Sequence, residues 1–442
     1  MTNLLFPHQQ LLHERFLQTD VGQLYLAIPF DALAATIPPP RHSISGKGCK
    51  PWLDVKGGLA LQFLKHYLCL SDALLMERIN TDWSLQQVCG LQLKPHEVIR
   101  DTNLPAHWRS YLGGHLDIVA LQKAFAAHWK AELTDTPISS QDATCYESRI
   151  AYPTAVKLVW QCCNKVYVRY QHLRKQTKQR QTRCNYQKWK QAFLEYQKSR
   201  KKTRTWEKRL LKKLLKFLHR LLELHKTIVE HKKINLSHKQ KAQMLTITKV
   251  YEQQHQKVYG KVEQIKDRIV SLSKPYIRPI VRGKEAKAVE FGAKVNKLQV
   301  DGLSFIEHFS YDAFNEGTRL KSSIHLHRAL FGRCTHHSAD QIYATNENRT
   351  YCREQNITTN FIPKGRQKPQ HMEQSKVMRA VLNKERGTRL EGSFGNEKNH
   401  YLLQKVNARN AVTEKCWIFF GMMTANASIM ASRKQKAGKQ AA

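Results

Sequence analysis

Three acids stand in settings where a carboxylate could be held rigidly yet remain available. Asp142 lies in the small, polar run Ile138-Ser139-Ser140-Gln141-Asp142-Ala143-Thr144, Asp340 follows Ser338-Ala339, and Glu391 lies in Arg389-Leu390-Glu391-Gly392-Ser393-Phe394-Gly395. A carboxylate on a strand has its main chain fixed while its tip stays free, and a helix can bring a third acid to such a pair. Two or three converging carboxylates can hold two divalent ions about 4 Å apart for phosphoryl transfer, one ion activating the attacking oxygen and the other stabilising the leaving oxygen. Asp301 and Asp312 are rivals on spacing grounds, and Asp at a strand end is also a common turn or capping residue. The run Cys334-Thr335-His336-His337 has metal-capable side chains but no second cluster at zinc spacing, so it reads as structural.

The charge of the chain suits a phosphate-bearing partner. Its 442 residues hold 73 Lys and Arg against 35 Asp and Glu, a formal net charge of +38. Hydrophobic residues make up 41% and charged residues 24%, which is ordinary globular usage, and the length allows two to four domains. Such an excess on a folded chain points to nucleic acid first and an anionic membrane surface second. The membrane reading is weak. The longest apolar stretch, Cys416 to Ala431, contains Thr424, Asn426 and Ser428 and falls short of the roughly 20 apolar residues of a spanning helix. The start, Met1 to Phe16, lacks the basic opening and apolar run of a signal peptide. Ten cysteines without a CxxC pair suit a reduced compartment, so a cytoplasmic protein is expected, nucleoid-associated if its polyanion partner is DNA.

The elements that must position these acids can be read in part. Residues 1–135 read as a helical N-terminal domain: Leu59 to Leu64 and Tyr67-Leu68-Leu70 give a helical apolar face, Ser71-Asp72 caps a second helix, and Asp82-Trp83-Ser84 starts a third. A strand is expected from Ile138 to Tyr146 and a helix from about Thr154. Residues 161–280 then hold 32 Lys and Arg against 7 Asp and Glu. Leu211, Leu214, Leu218, Leu221 and Ile228, and then Val258, Val262, Ile265 and Ile269, predict two long antiparallel helices turning near Asn235 to His238. Net +25 on one helical hairpin favours phosphate contact over simple solvation. Strands return at Val289–Val295 and Leu303–Ile306 around an Asp301-Gly302 turn. A helix over about Gly317–Leu330, a strand ending at Asp340, another near Ile357–Ile362 and final helices from about Met372 complete the reading. Strands, then helices, then strands indicate an α/β core interrupted by a long basic helical insertion.

Three blocks, taken together, resemble the signature blocks of bacterial insertion-sequence DDE transposases. They are Asp142-Ala143-Thr144 with Ile150-Ala151-Tyr152-Pro153-Thr154, the run Ala339 to Arg349, and Glu391 to Lys398. Supporting blocks are Lys50 to Lys56, Leu70-Ser71-Asp72 and Ser310 to Gly317. The order is that of the family, and the blocks span most of the chain outside the basic insertion.

The resemblance implies an RNase H-like mixed-sheet core in which Asp142, Asp340 and Glu391 hold two Mg²⁺ ions, with Mn²⁺ able to substitute. It implies water attack at the ends of the element, then attack of the freed 3′-hydroxyl on target DNA. Double-stranded DNA, as terminal inverted repeats and as target, is the implied partner, with a homodimer on DNA and no membrane. Lys398, seven residues after Glu391, is in place to position a phosphate, and Tyr343, Asn346, Arg349, Arg386 and Arg389 are candidate DNA contacts. The implied division is 1–135 for terminal-repeat binding, 136–165 and 276–410 for the core, 166–275 for the basic insertion, and 411–442 for a C-terminal helix and basic tail. Asp142 and Asp340 are 198 residues apart and Glu391 follows 51 residues later, so the long first gap holds the insertion. Many relatives have Arg four residues before the catalytic Glu and Tyr three before that Arg. Here those places hold Gly387, flanked by Arg386 and Arg389, and Lys384, so the resemblance does not extend to the pair that supports a hairpin intermediate in some relatives. Glu385 is the alternative third carboxylate. A basic nucleic-acid-binding protein without catalysis, and a nuclease without strand transfer, are the alternative functions.

Overall fold

The computed structural model describes residues 7–40, 51–180, 182–260, 262, 264–284, 287–365 and 369–441. Lys50, which opens one supporting block, and the first six residues of the N-terminal segment lie outside them. The chain divides into two compact units, one of Met1–Arg149 with Gly292–Ala442 and the other of Ile150–Phe291.

The first unit begins with helices α1 (Pro7–Leu17), α2 (Asp20–Leu26), α3 (Phe30–Ala35), α4 (Val55–Leu68), α5 (Asp72–Thr81), α6 (Trp83–Val88), α7 (Leu104–Gly114) and α8 (Ile118–Trp129). Side-chain caps start five of them: Thr19, Asp54, Ser71, Asp82 and Asp117 each accept a first-turn backbone N–H. Every residue of α4 from Gly57 to His66 is buried, so this helix is surrounded and not merely amphipathic.

Strand β1 (Ile138–Glu147) is the centre of the sheet. In the second unit come α9 (Ala155–Gln176), α10 (Tyr186–Lys198), α11 (Arg204–His231), α12 (His238–Tyr259) and β2 (Pro279–Lys284). Then follow β3 (Lys287–Val300), β4 (Leu303–Ser310), α13 (Leu320–Phe331), β5 (His336–Ala339), α14 (Asn346–Glu354), β6 (Thr358–Thr359), α15 (Pro369–Glu385), α16 (Glu391–His400) and α17 (Ala411–Ala441).

Within the first unit the strands lie in the order β4-β3-β1-β5-β6. β3 is antiparallel to β1, from Ser139↔Val300 to Glu147↔Gly292, and β4 returns antiparallel to β3. The turn between them holds Asp301 at φ 46° and Gly302 at φ 80°. Two left-handed residues are what a two-residue hairpin needs to follow the sheet twist. β5 is parallel to β1 from Ile138↔His336 to Gln141↔Ala339, and β6 is parallel to β5. The sheet is therefore mixed.

One hydrophobic core joins the N-terminal helices, this sheet and α17; it includes Phe63, Phe125, Phe305, Phe331 and Phe420. The polar residues that break the apolar run of α17 have partners. Asn426 accepts from the Ser304 N–H and donates to the Ser304 carbonyl, and Gln122 on α8 does the same for Ile306. Two buried amides thus satisfy backbone groups on the open side of β4, an edge that would otherwise be unpaired. Thr424 and Ser428 donate to carbonyls one turn back. Among the described residues, no helix is long and apolar enough to cross a membrane.

His337 is buried on β5 and exchanges a hydrogen bond of 2.8 Å with Ser139 on β1, which is a structural use of the Cys334–His337 run. Burial pushes its pKa down to about 3. The unfolded chain binds a proton near pH 6.5 that the folded one refuses, so His337 costs stability as pH falls below 6.5. In denaturant titrations between pH 6.5 and 4, stability of the wild type is expected to fall more steeply than that of His337→Gln, by up to about 1.4 kcal/mol per pH unit. Parallel curves would contradict this account of His337.

In the second unit, α9, α11 and α12 pack around Val159, Cys163, Val166, Leu211, Leu214, Leu218, Leu221 and Val250. Thr154 caps α9, and Ser237 with Gln240 forms a capping box on α12. The expected antiparallel pair is α11 with α12, but α12 is shorter than the apolar spacing implies. It stops at Tyr259, so Val262, Ile265 and Ile269 lie beyond it, and Gly260 takes the C-cap. α9 packs on α11 in their place, while Ile269 still joins the same core from beyond α12. β2 pairs with the start of β3, from Pro279↔Phe291 to Val281↔Val289.

Candidate active site

Asp142 and Asp340 meet because β1 and β5 are parallel neighbours. The last pair in their ladder is Gln141↔Ala339, so the next residue on each strand is an Asp. Asp142 is half-buried and its Oδ1 accepts the Ala143 N–H at 2.7 Å. Asp340 is exposed, follows β5 directly, and caps the next turn by accepting the Gln341 N–H at 2.6 Å. Burial pushes the Asp142 carboxyl up to about 6, with Glu316 and Asp340 adding to the rise against the opposing Ala143 N–H and Arg386.

Glu391 arrives from α16 and reaches the same place through a shared cation. Arg386 Nη1 is 3.4 Å from Asp142 Oδ2, and its Nη2 is 3.3 Å from Glu391 Oε1. Residues 386–390 form a π-helix, and the Glu391 N–H bonds to the Arg386 carbonyl five residues back. This wider turn accommodates one extra residue. It brings Arg386, five residues before Glu391, beside that acid, whereas Gly387 stands four residues before it. On α15, Asn383 Oδ1 accepts from Asn360 at 2.7 Å.

The other sequence candidates are placed as follows. Lys398 Nζ donates to Thr144 Oγ1 at 3.1 Å, two residues along β1 from Asp142. Tyr343 is fully buried and its hydroxyl donates to Asn296 Oδ1 at 2.7 Å, so it is committed within the core. Asn346 begins α14, exposed, and accepts from Lys364 at 2.7 Å; Arg349 Nε donates to the Ala344 carbonyl at 3.0 Å. Arg389 pairs with Asp301 at 3.1 Å and with Glu385 at 3.2 Å. Of the rivals, Asp301 is held at the hairpin tip by Arg389 and Arg433, and Asp312 is exposed at the end of β4. Neither joins the other acids.

Sequence reasoning missed a buried network beneath the acids. Lys297 on β3 is the cross-strand partner of Asp142 and is fully buried. Its Nζ lies 2.6 Å from Glu397 Oε1 and 2.6 Å from Ser393 Oγ, both on α16, and 4.4 Å from the centre of the Phe394 ring. The Tyr146 hydroxyl donates to the other oxygen of Glu397. The run Val295-Asn296-Lys297-Leu298-Gln299-Val300 mixes polar and apolar residues, so nothing in the sequence marked Lys297 as buried.

As they stand, no three His, Cys, Asp or Glu side chains among the described residues are grouped closely enough to hold a metal ion. Arg386 takes the ground between Asp142 and Glu391. The donor set still fits divalent magnesium or manganese, because hard cations favour carboxylate oxygens and Asp142 is an acid whose ionised form is costly without a nearby positive charge. Arg386→Gln is expected to tighten Mn²⁺ binding about tenfold, since a competing charge near two ligand groups is removed. Titration of the manganese EPR signal reads this; unchanged or weaker binding would show that the guanidinium does not compete.

A comparison with protein-family models matches residues 338–426 to the family described as transposase DDE domain. That segment holds two of the three acids, Asp340 and Glu391, together with Arg386 and Lys398. No curated protein and no solved structure gives a significant match. The family match supports a place for the chain among the DDE transposases, the family that its three sequence blocks resemble.

Proposed function

We propose, from the transposase DDE domain match over 338–426, that the chain is the DNA transposase of an insertion sequence. It would hydrolyse a phosphodiester at each element end and then join the freed 3′-hydroxyl to target DNA. The observation that carries the reading is Arg386, which reaches both Asp142 and Glu391 where β1 and β5 bring Asp142 and Asp340 to neighbouring strand ends. The strand order, three antiparallel strands followed by two parallel ones, supports an RNase H-like core.

In this reading Asp142, Asp340 and Glu391 would hold two Mg²⁺ or Mn²⁺ ions. When bound, such ions supply activation of the attacking oxygen and stabilisation of the leaving one. Arg386, displaced from the carboxylates, would be free to meet a DNA phosphate, and Lys398 would orient another from its post on Thr144. Asn346, Arg349 and Arg389 would contact the flanking backbone, Tyr343 only if the core around it opens. Residues 1–135 would read the terminal repeats, 136–165 and 276–410 would form the core, 166–275 would track the phosphate backbone, and 411–442 would close the core. A homodimer on double-stranded DNA, acting in the cytoplasm on the nucleoid, follows from the need to cut two ends together.

The test is the product. Element ends carrying flanking DNA, incubated with supercoiled plasmid and Mg²⁺, are expected to yield joined molecules with the 3′ end covalently in target DNA. Nicked ends with no joined product would leave a nuclease without strand transfer. Binding without any cutting would leave a non-catalytic DNA-binding protein.

A further inference from the structure

The three acids come from separate pieces of chain, and Glu391 comes from a helix whose approach is broken by a π turn. Something must fix where α16 stands on the sheet. Alternate residues of β1 face this helix: Asp142 at the acids, Thr144 on Lys398, Tyr146 on Glu397. The buried ammonium of Lys297 grips α16 at Ser393 and Glu397, which are four residues apart and so one turn apart on the same face. Two contacts one turn apart fix both the rotation of a helix and its position along its axis. Ser393 is two residues from Glu391, and Lys297 is itself the cross-strand partner of Asp142. One residue therefore ties the strand bearing the first acid to the helix bearing the third.

We propose that Lys297 and Glu397 are positioning residues, which set the distance from Glu391 to Asp142 and so determine how well the acids gather divalent metal. This rests on the reading of the three acids as a metal site. It explains why a charged pair is spent in the core, where an apolar pair of the same size would stabilise the fold as well. The ring of Phe394 over Lys297, and the second carboxylate oxygen of Glu397 taken by Tyr146, leave the pair little freedom.

The test uses full-length Lys297→Met, Glu397→Gln and the double variant, which removes both charges and leaves neither buried alone. Mn²⁺ affinity is followed by EPR, alongside DNA affinity and cleavage rate. Both singles are expected to bind Mn²⁺ at least tenfold more weakly. They should cut about 100-fold more slowly at saturating DNA, the scale of a misplacement of about 1 Å. DNA affinity should be unchanged, and the double variant should lose no more than the worse single. A core variant outside this network, Leu112→Ala, controls for loss of stability and is expected to keep wild-type Mn²⁺ affinity. Wild-type metal affinity in the double variant would overturn the proposal, as would an equal loss in Leu112→Ala. If Asp142→Asn abolishes Mn²⁺ binding and Lys297→Met weakens it, yet the wild type cuts no DNA, the positioning role stands and the transposase reading fails. If the wild type binds no Mn²⁺ through Asp142, both fail.

Discussion

Asp142→Asn, Asp340→Asn and Glu391→Gln are each expected to abolish strand cleavage, a fall of roughly 10³-fold or more, while leaving DNA affinity unchanged. The physical reason is that each substitution keeps the shape of the side chain and removes the anionic oxygen that a divalent cation needs. Asp142 is the most sensitive of the three because it is the least solvated, with its carboxyl pushed up to about 6. Its removal should also release Arg386 from one of its two partners. Gel-shift affinity and labelled-end cleavage, measured on the same preparations, separate the two effects. Loss of DNA binding in all three variants would contradict the assigned roles. Full cleavage in Glu391→Gln would point to Glu385, which instead pairs with Arg389.

The second large effect belongs to the basic bundle. On the first turns of α11, Leu210, Leu211, Leu214 and Leu215 are buried, whereas Lys208, Arg209, Lys212, Lys213 and Lys216 are exposed. The positive residues thus form an outward face on a helix whose inward face is already packed. Replacing those five by Gln is expected to lower DNA affinity roughly 100-fold at low salt. It should also flatten the dependence on salt concentration, by about 0.9 in log–log slope for each phosphate no longer neutralised. Cleavage at saturating DNA should survive, because none of the five touches the acids. An unchanged salt slope would reduce this face to a solvated surface.

How legible all this was in the sequence depended on whether the signal was local. Capping residues such as Ser71, Asp82 and Thr154, and the Asp301-Gly302 turn, carry their geometry within a few residues, so those boundaries could be read directly. Strand order was not local: that Asp142 and Asp340 are neighbours follows from the parallel pairing of β1 with β5 across 198 residues, and resemblance supplied what periodicity could not. The end of α12 was misjudged because Val262, Ile265 and Ile269 continue an apolar spacing that Gly260 interrupts. The π turn escaped because it leaves no mark in composition, so the approach of Arg386, five residues before Glu391, to that acid could not be read. Lys297 and Glu397 escaped because a buried ion pair is a tertiary fact, formed by residues 100 positions apart.

The most direct measurement of the central claim is end cleavage by the wild-type protein. A labelled duplex carrying the DNA that flanks its reading frame would be incubated with Mg²⁺, with EDTA, and with Asp142→Asn protein in place of the wild type. The expected result is a metal-dependent cut that frees a 3′-hydroxyl at a repeat boundary and is absent in both controls. Tight, salt-sensitive binding with no cut under any divalent metal would contradict the transposase reading and return the three acids to a structural role.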